Sequence, residues 1–233
     1  MKNPLNAVRA AVSIFRLVRD PNRLGEVFSL ADSLLPLGSS ERNRAIIAEV
    51  SEDPQAARAF EERPRLGPLD LARLRELPGG TLGREFAEHM ILNNLDPSAL
   101  PSRESKDDVQ YFQAHLYETH DIWHVATGFP TDVAGELGLQ AFYYAQVPGG
   151  LPSALLAGGF LNTLLFKFEE RDVRMRSIVR GWLLGKRAKK LFGLRWNELW
   201  ATPLLDVRAR LGIDLDLVDA ELAPRDTTQA LAA

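Results

Sequence analysis

The sequence predicts an all-α fold, a single-domain helical bundle built around a central helix hairpin. Apolar residues recur at helical spacing along nearly the whole chain, and no strand-like alternation bounded by hairpin turns stands out. The 233 residues are 45% hydrophobic and 25% charged, which are ordinary values for one globular domain. We therefore assign residues 1–233 to one helical domain and expect residues 218–233 to be a C-terminal tail without fixed structure.

The N-terminal elements follow from apolar periodicity and the points where it stops. Residues 1–20 predict an amphipathic helix that ends at Asp20-Pro21. The residues at helical spacing are Val8, Val12, Phe15 and Val18. A transit peptide or a membrane-surface helix are the alternatives to an ordinary amphipathic helix. A second apolar rhythm covers residues 22–35, and further helices are expected from Ser39 and from Ser51.

Proline and glycine bound the central elements. A short helix over residues 69–74 stops at Pro78-Gly79-Gly80, and Thr81 is placed to cap the helix that follows. A loop marked by prolines at 97 and 101 then precedes a long helix from about residue 106 to residue 127. These boundaries place the long helix next to the turn of the hairpin.

The hairpin is bounded by residues with clear turn chemistry. Gly128, in a Gly-Phe-Pro sequence, ends the long helix. Thr131 or Asp132 caps a second helix, which runs to about Gln146. In an antiparallel hairpin, residues equidistant from the turn face each other, so Glu136 is aimed back at the end of the long helix. Gly135 and Gly138 are expected to let the two helices approach closely.

The hairpin also carries the pattern H-D-x-x-H-x11-E, which predicts a divalent metal site. Its members are His120, Asp121, His124 and Glu136. Two histidines four residues apart lie on one face of a helix and can reach a single ion. Asp121 is expected to be either a fourth ligand or an acceptor that orients an imidazole. The chain has no cysteine, so nitrogen and oxygen ligands suited to zinc, iron, manganese or cobalt are the ones available.

Other segments bear on partners. The net charge of −3 argues against nucleic-acid binding. The longest apolar run, residues 151–166, is too short to span a bilayer, and it predicts either the wall of a tunnel for a prenyl tail or a buried core helix. Residues 171–195 hold nine Lys or Arg among apolar residues, which favours either contact with an anionic bilayer or a solvated helix face.

Several motifs together resemble one protein family. They are Glu118 to His124 with Thr127 to Thr131 and Gly135-Glu136, then Leu77 to Ala87, Leu95 to Pro97, Trp182 to Leu191, and Trp196 to Leu204. In this combination and over roughly residues 20–215, the chain is similar to the coenzyme Q (ubiquinone) biosynthesis protein 4 family. The resemblance implies an all-helical protein whose catalytic and metal-binding residues are His120, Asp121, His124 and Glu136.

The resemblance also implies an activity and a location. The implied activity is a metal-dependent oxidative decarboxylation, in which the ring carboxylate of a polyprenylated hydroxybenzoate is replaced by hydroxyl at a membrane surface. The alternative is a non-catalytic scaffold that binds prenyl lipid and organises the other quinone-biosynthesis proteins. The implied place is the cytoplasmic face of a bacterial inner membrane, or the matrix side of the mitochondrial inner membrane in a eukaryote. We also expect a homodimer.

The chain departs from the family pattern beside the metal motif. The family often has two arginines where this chain has His115 and Tyr117, and a lysine where it has Gln140. We expect these three residues to face the substrate. Because guanidinium groups are natural partners of carboxylates, their replacement predicts a divergent member with a different lipid substrate.

Overall fold

The structure is a computed structural model that describes residues 4–37, 40–97, 105–147 and 149–223. The all-α class is confirmed, because the regular elements in those ranges are helices, and only an isolated bridge joins Thr81 to Pro203. The α-helices are α1 (Pro4–Arg19), α2 (Leu24–Leu37), α3 (Ser40–Val50), α4 (Pro54–Glu62), α5 (Leu71–Arg75), α6 (Leu82–Leu92), α7 (Asp108–Thr127), α8 (Val133–Gln146), α9 (Gly150–Phe166), α10 (Arg171–Arg187), α11 (Leu204–Leu211) and α12 (Leu215–Glu221).

Side-chain caps set most of the boundaries that the sequence predicts. Thr81 accepts a hydrogen bond from the Arg84 amide at 3.4 Å and begins α6. At the C-terminus, α12 continues to Glu221, four residues into the expected tail, while residues 224–233 lie outside the described ranges. The expected starting residue Ser39 and the loop residue Pro101 also lie outside them.

Two apolar clusters form the interior. The larger one joins α4, α6, α7, α8, α10, α11 and α12, and its fully buried side chains include Trp123, Phe142 and Trp196. The smaller one joins α1, α2 and α9 around Ala10, Leu17 and Leu30, and is flanked by Leu151, Ala154 and Leu155. The large cluster therefore encloses the end of α7, and the small one supports the N-terminal helices.

The hairpin glycines serve contacts other than the predicted one. A Cβ on Gly135 would lie 2.0 Å from the Pro130 carbonyl oxygen, so this glycine fits the turn. A Cβ on Gly138 would lie 2.4 Å from Ser177 of α10, and one on Gly181 of α10 would lie 1.9 Å from the Gly138 oxygen. The principal neighbour of α8 is α10. The expectation that these glycines bring α7 and α8 together is therefore wrong.

The apolar helix α9 is not a buried core helix. It buries only Pro152, Gly158, Gly159 and Asn162. Asn162 donates a hydrogen bond to the Val18 carbonyl at 2.8 Å and accepts one from Arg174 at 2.7 Å. The helix is thus joined to α1 and α10 by polar and small residues, and its large side chains from Phe160 to Phe166 are exposed. Within the described ranges, no helix has the length and apolar character needed to cross a bilayer.

Candidate metal centre

Local hydrogen bonds shape the turn between α7 and α8. Gly128 adopts a left-handed conformation with φ of 68°, and its amide donates to the His124 carbonyl at 2.8 Å. Asp132 accepts from the Gly135 amide at 2.7 Å and begins α8. The Thr131 hydroxyl donates to the side-chain oxygen of Asn93 at 2.7 Å, which fastens the turn to the end of α6. Both predicted helix boundaries at the turn are confirmed.

The turn brings three predicted ligands into one group, which we call the hairpin site. It consists of His120, His124 and Glu136, and one ligand atom from each lies within 4.8 Å of the others. Glu136 Oε1 is 3.1 Å from His124 Nε2, and Oε2 is 3.8 Å from His120 Nε2. Both imidazoles therefore present Nε2 to the same carboxylate.

The tautomer of His124 suits metal binding. Its Nδ1 lies 3.0 Å from the Phe129 carbonyl oxygen, which can only accept, so Nδ1 carries the proton. In the neutral imidazole, Nε2 then carries a lone pair. This nitrogen is buried and lies 3.1 Å from Glu136 Oε1, the oxygen to which it would donate a hydrogen bond when protonated. In the neutral imidazole, His124 Nε2 and Glu136 Oε1 both carry lone pairs and lie 3.1 Å apart, which fits two ligands that share one cation.

The electrostatics of the hairpin site also suit a cation. For Glu136, burial raises the pKa, but the hydrogen bond and charge of His124 and the charge of His120 together leave it below its usual value. For His120, burial is the main effect and lowers the pKa, against the opposing charge of Glu136. For His124, burial lowers the pKa, but Glu136 outweighs it and the net direction is upward. The carboxylate is thus held ionised beside two imidazoles.

Asp121 lies near the hairpin site but outside the group of three. Its side chain is half-buried, and its charge contributes to the pKa values of both site histidines. The acceptor that orients His124 is the Phe129 carbonyl rather than Asp121. The role of Asp121 as a ligand stays a prediction.

The three residues predicted to face the substrate occupy different surroundings. His115 is 2% exposed, its Nε2 accepts from the Gly193 amide at 3.0 Å, and its ring packs on Phe192. Tyr117 is half-buried and its ring lies 5.4 Å from that of Phe28 in α2. Gln140 is buried one helical turn beyond Glu136. Gln140 therefore lies on the same helix as Glu136, whereas His115 lies in the core and Tyr117 packs against α2.

Two residues that the sequence did not single out adjoin the hairpin site. His89 of α6 stacks on His124 with ring centroids 5.7 Å apart, and Tyr143 of α8 stacks on His120 at 5.9 Å. His89 Nε2 and the Tyr143 hydroxyl are buried without a hydrogen-bond partner among the described residues. His89 lies 31 residues before His120. No local pattern links them, and the only sequence signal was that histidine is scarce, with four in the chain.

A second unusual surface lies on α1 and α9, and we call it the apolar face. Its large side chains are between 39% and 63% exposed. Its members are Leu5, Val8, Val12 and Phe15 of α1, and Phe160, Leu161, Leu164, Leu165 and Phe166 of α9. The two helices pack directly against each other. Large apolar side chains exposed on two helices in contact commonly mark a site of interaction.

The basic segment 171–195 exposes seven of its nine cations, as expected for a solvated helix face, and its contact with an anionic bilayer stays a prediction. Leu184, Leu191 and Phe192, which separate its charges in the sequence, are core residues with at most 1% exposure. Several of its cations bind within the chain, as shown by the pairs Arg180–Asp219 and Arg187–Glu221. These two pairs tie α10 to α12.

These features define an all-α protein with a partly buried His-His-Glu group on a helix hairpin and an exposed apolar face on two packed helices. The model of the family described as "Coenzyme Q (ubiquinone) biosynthesis protein Coq4" matches residues 7–216. The chain therefore belongs to the Coq4 family.

Individual relatives agree with this assignment. A protein of Mus musculus named ubiquinone biosynthesis protein COQ4 homolog, mitochondrial, is 31% identical over 171 residues, which are 71% of this chain and 63% of that protein. The Homo sapiens homolog of the same name is 30% identical over 191 residues, covering 78% and 71% of the two chains. A crystal structure of a putative ubiquinone biosynthesis protein from Nostoc punctiforme matches with a TM-score of 0.76 and 29% identity, covering 90% of this chain and 99% of that one.

Proposed function

We propose that this protein acts in ubiquinone biosynthesis as a metal-dependent enzyme of the decarboxylase (lyase) class. Its reaction would be the oxidative decarboxylation of a polyprenylated hydroxybenzoate, in which hydroxyl replaces the ring carboxylate. That exchange is a net oxidation and requires an external oxidant such as dioxygen. The single observation that carries the proposal is the convergence of His120, His124 and Glu136 within 4.8 Å.

The residues of the hairpin site fit the role of metal ligands. Two neutral imidazoles and one ionised carboxylate would hold a divalent cation and leave positions for other ligands. Such an ion supplies Lewis acidity toward a carboxylate and a neighbouring phenol oxygen. Zinc, iron, manganese and cobalt all accept this ligand set, and Asp121 is near enough in sequence to complete it. Membership of a family named for ubiquinone biosynthesis supports a quinone precursor as the substrate.

The apolar face supports action at a membrane surface. Large apolar side chains gain by leaving water, and the exposed Arg9 and Arg19 of α1 would each add about 1 kcal/mol beside anionic lipid. A cavity of about 130 Å³ lies between α8, α9 and α10. From α9 it is lined by Gly159, Phe160, Thr163 and Leu164. We propose this apolar cavity as a place for part of a prenyl tail.

We also propose partners and a location for the protein. They are a prenylated aromatic lipid, the other proteins of quinone biosynthesis, a second copy of this chain in a homodimer, and an anionic membrane contacted from one side. The membrane would be a bacterial inner membrane on its cytoplasmic face, or the mitochondrial inner membrane on its matrix side. Two of the relatives named above are called mitochondrial. No role in nucleic-acid binding is proposed.

The test is a single-turnover assay of the full chain with a prenylated hydroxybenzoate in air, after reconstitution with each of the four metals. Glu136→Gln removes the charge of one proposed ligand, and Glu169→Gln is the matched control, since Glu169 is 69% exposed and pairs with Lys167. We expect product from the unsubstituted protein and from the control, and none from Glu136→Gln. If no metal supports turnover while the protein still retains prenyl lipid, the scaffold function replaces the enzymatic one.

A further inference from the structure

We infer that His89 and Tyr143 are substrate-positioning residues, each of which gives a hydrogen bond to an oxygen atom of the exchangeable ligand bound at the hairpin site. The ligand class is an anion with carboxylate or phenolate oxygens. The inference rests on the proposed metal site and adds two side chains that lie outside the H-D-x-x-H-x11-E pattern.

His89 is held against the hairpin site without a hydrogen bond of its own at Nε2. Its ring is nearly parallel to that of His124, with an interplanar angle of 24°, and its Nε2 is buried and unpartnered among the described residues. Burial lowers the pKa of His89, and the charges of the hairpin-site residues and of Asp121 also contribute to it. An imidazole in that position has a polar atom available for a group that is not part of the chain.

The helix that carries His89 is fastened to the hairpin. Asn93, one turn after His89, accepts a hydrogen bond from Thr131 at 2.7 Å. Met90, the neighbour of His89, is fully buried in the large core cluster. The position of the imidazole is therefore fixed by the packing of α6 and by its stacking on His124. A polar side chain supported in this way is preorganised for a ligand.

Tyr143 occupies the equivalent position beside the other histidine. Its ring stacks on Trp123 at 4.2 Å with an interplanar angle of 12°, and it faces His120 at 21°. The side chain is 5% exposed and its hydroxyl is buried without a partner among the described residues. The contacts with Trp123 and His120 hold the ring in place, so the hydroxyl cannot move far without disturbing the core.

The two side chains approach the histidine pair from different helices. His89 lies against His124 and Tyr143 lies against His120, so a ligand beside the site meets a donor on each side. Buried polar atoms in folded proteins are nearly always hydrogen-bonded, and those that are not call for an explanation. A ligand with several oxygens satisfies both atoms together. Ordered water is the other occupant, and the experiment separates the two.

The experiment uses the full chain loaded with Co²⁺, whose visible spectrum reports a change of ligand, and salicylate as the probe. Tyr143→Phe removes only the hydroxyl, and Tyr144→Phe is the matched control because Tyr144 is 48% exposed. His89→Phe removes the imidazole, and His89→Gln keeps an N–H donor. We expect Co²⁺ affinity to change less than about threefold in all four variants. Salicylate affinity should fall about tenfold or more in Tyr143→Phe and His89→Phe, as for loss of a hydrogen bond to a charged group.

Two further readouts separate positioning from a structural role. Tyr143→Phe should unfold at the same temperature as the unsubstituted protein or above it when no ligand is present, because an unpartnered hydroxyl stabilises nothing. His89→Gln should recover part of the salicylate affinity.

If both Phe variants bind salicylate as tightly as the unsubstituted protein, water is the occupant and the inference is wrong, although the metal site stands. Loss of Co²⁺ from His89→Phe to the extent seen in His120→Ala would make His89 an ion ligand, which also overturns it. If the unsubstituted protein binds no Co²⁺, the proposed metal site itself fails.

Discussion

The hairpin site and the apolar face depart from the usual arrangement of residues in opposite directions. The hairpin site places a buried His124, at 1% exposure, beside the half-buried carboxylate of Glu136, whereas the apolar face leaves Leu164 63% exposed. Burying polar groups opposes folding, and large apolar groups that stay in water contribute nothing to it. The chain therefore keeps two regions that are not optimal for stability alone. In our proposal a divalent ion would stabilise the hairpin site, and a membrane would cover the apolar face.

The surroundings of the two regions differ as well. The hairpin site borders the large core cluster, and Glu136 lies on the helix α8 that packs against α10, so a change in that packing reaches Glu136. The apolar face rests on the small cluster around Leu30, and its outward side chains pack on little. Substitutions should therefore have large effects on stability near the hairpin site and small ones on the apolar face.

The largest effect is expected where α8 meets α10. In Gly181→Ala the new Cβ would lie 1.9 Å from the Gly138 carbonyl oxygen, so backbone must move, and we expect a loss of about 3 kcal/mol in the free energy of unfolding. The control is Gly158→Ala in α9, whose Cβ would lie 3.8 Å from Val18 and make an ordinary contact. It should be neutral or slightly stabilising. Urea unfolding measures both, and equal losses in the two variants would abolish the contrast between the regions.

A smaller effect is expected from His115, which is polar and buried like the site histidines but is fully partnered. Burial lowers the pKa of His115 to about 4, below the ordinary value of 6.5. The folded state therefore binds fewer protons than the unfolded state between these values, and stability falls as the pH falls from 6.5 toward 4. We expect His115 to account for a loss of about 2 kcal/mol between pH 7 and pH 5.

That prediction is measured as the difference between the unsubstituted protein and His115→Gln. Glutamine keeps an acceptor for the Gly193 amide but does not titrate. The pH dependence of unfolding should be shallower in the variant by that amount. Identical pH profiles would show that His115 does not carry the proton linkage that its burial implies.

The smallest effect on stability is expected on the apolar face. The double substitution Leu164→Ser and Leu165→Ser should change the free energy of unfolding by no more than about 0.5 kcal/mol, because both side chains are at least 60% exposed. Binding to vesicles of mixed neutral and anionic lipid should fall several-fold. Leu205→Ser is the control, since Leu205 is 73% exposed on α11. Unchanged vesicle binding, or an equal loss in the control, would remove the membrane role from this face.

The hairpin was predictable because its determinants are local. Gly128 and Asp132 each act within a few residues, and the spacing of His120 and His124 is a property of one helix. The placement of Glu136 followed from the short turn. The same reasoning failed for Gly138, because the closeness of two helices depends on a third helix, α10, that no local pattern connects to the hairpin.

The buried face of α1 and the positions of His89 and Tyr143 could not be predicted either, because they also depend on packing between several helices. The apolar spacing of Val8, Val12 and Phe15 correctly indicates an amphipathic helix, but it does not tell which face meets the core. In the structure α1 turns Ala10, Ser13 and Leu17 inward, and of the four predicted residues it buries only Val18 and leaves Val8, Val12 and Phe15 exposed. His89 and Tyr143 reach the site only through the packing of α6 and α8 around α7. Periodicity describes one helix at a time, whereas these placements depend on the arrangement of several.

The central claim is that the polar interior of the hairpin binds one divalent ion. It is tested by calorimetric titration of Co²⁺ or Zn²⁺ into the metal-free full chain and into Glu136→Gln and Glu169→Gln. We predict one saturable ion per chain in the unsubstituted protein and in Glu169→Gln, with affinity at least about 100-fold weaker in Glu136→Gln. At a hundred times the dissociation constant, the ion should stabilise the unsubstituted chain by about 2.7 kcal/mol. Absence of saturable binding, or equal affinity in all three proteins, would contradict the claim.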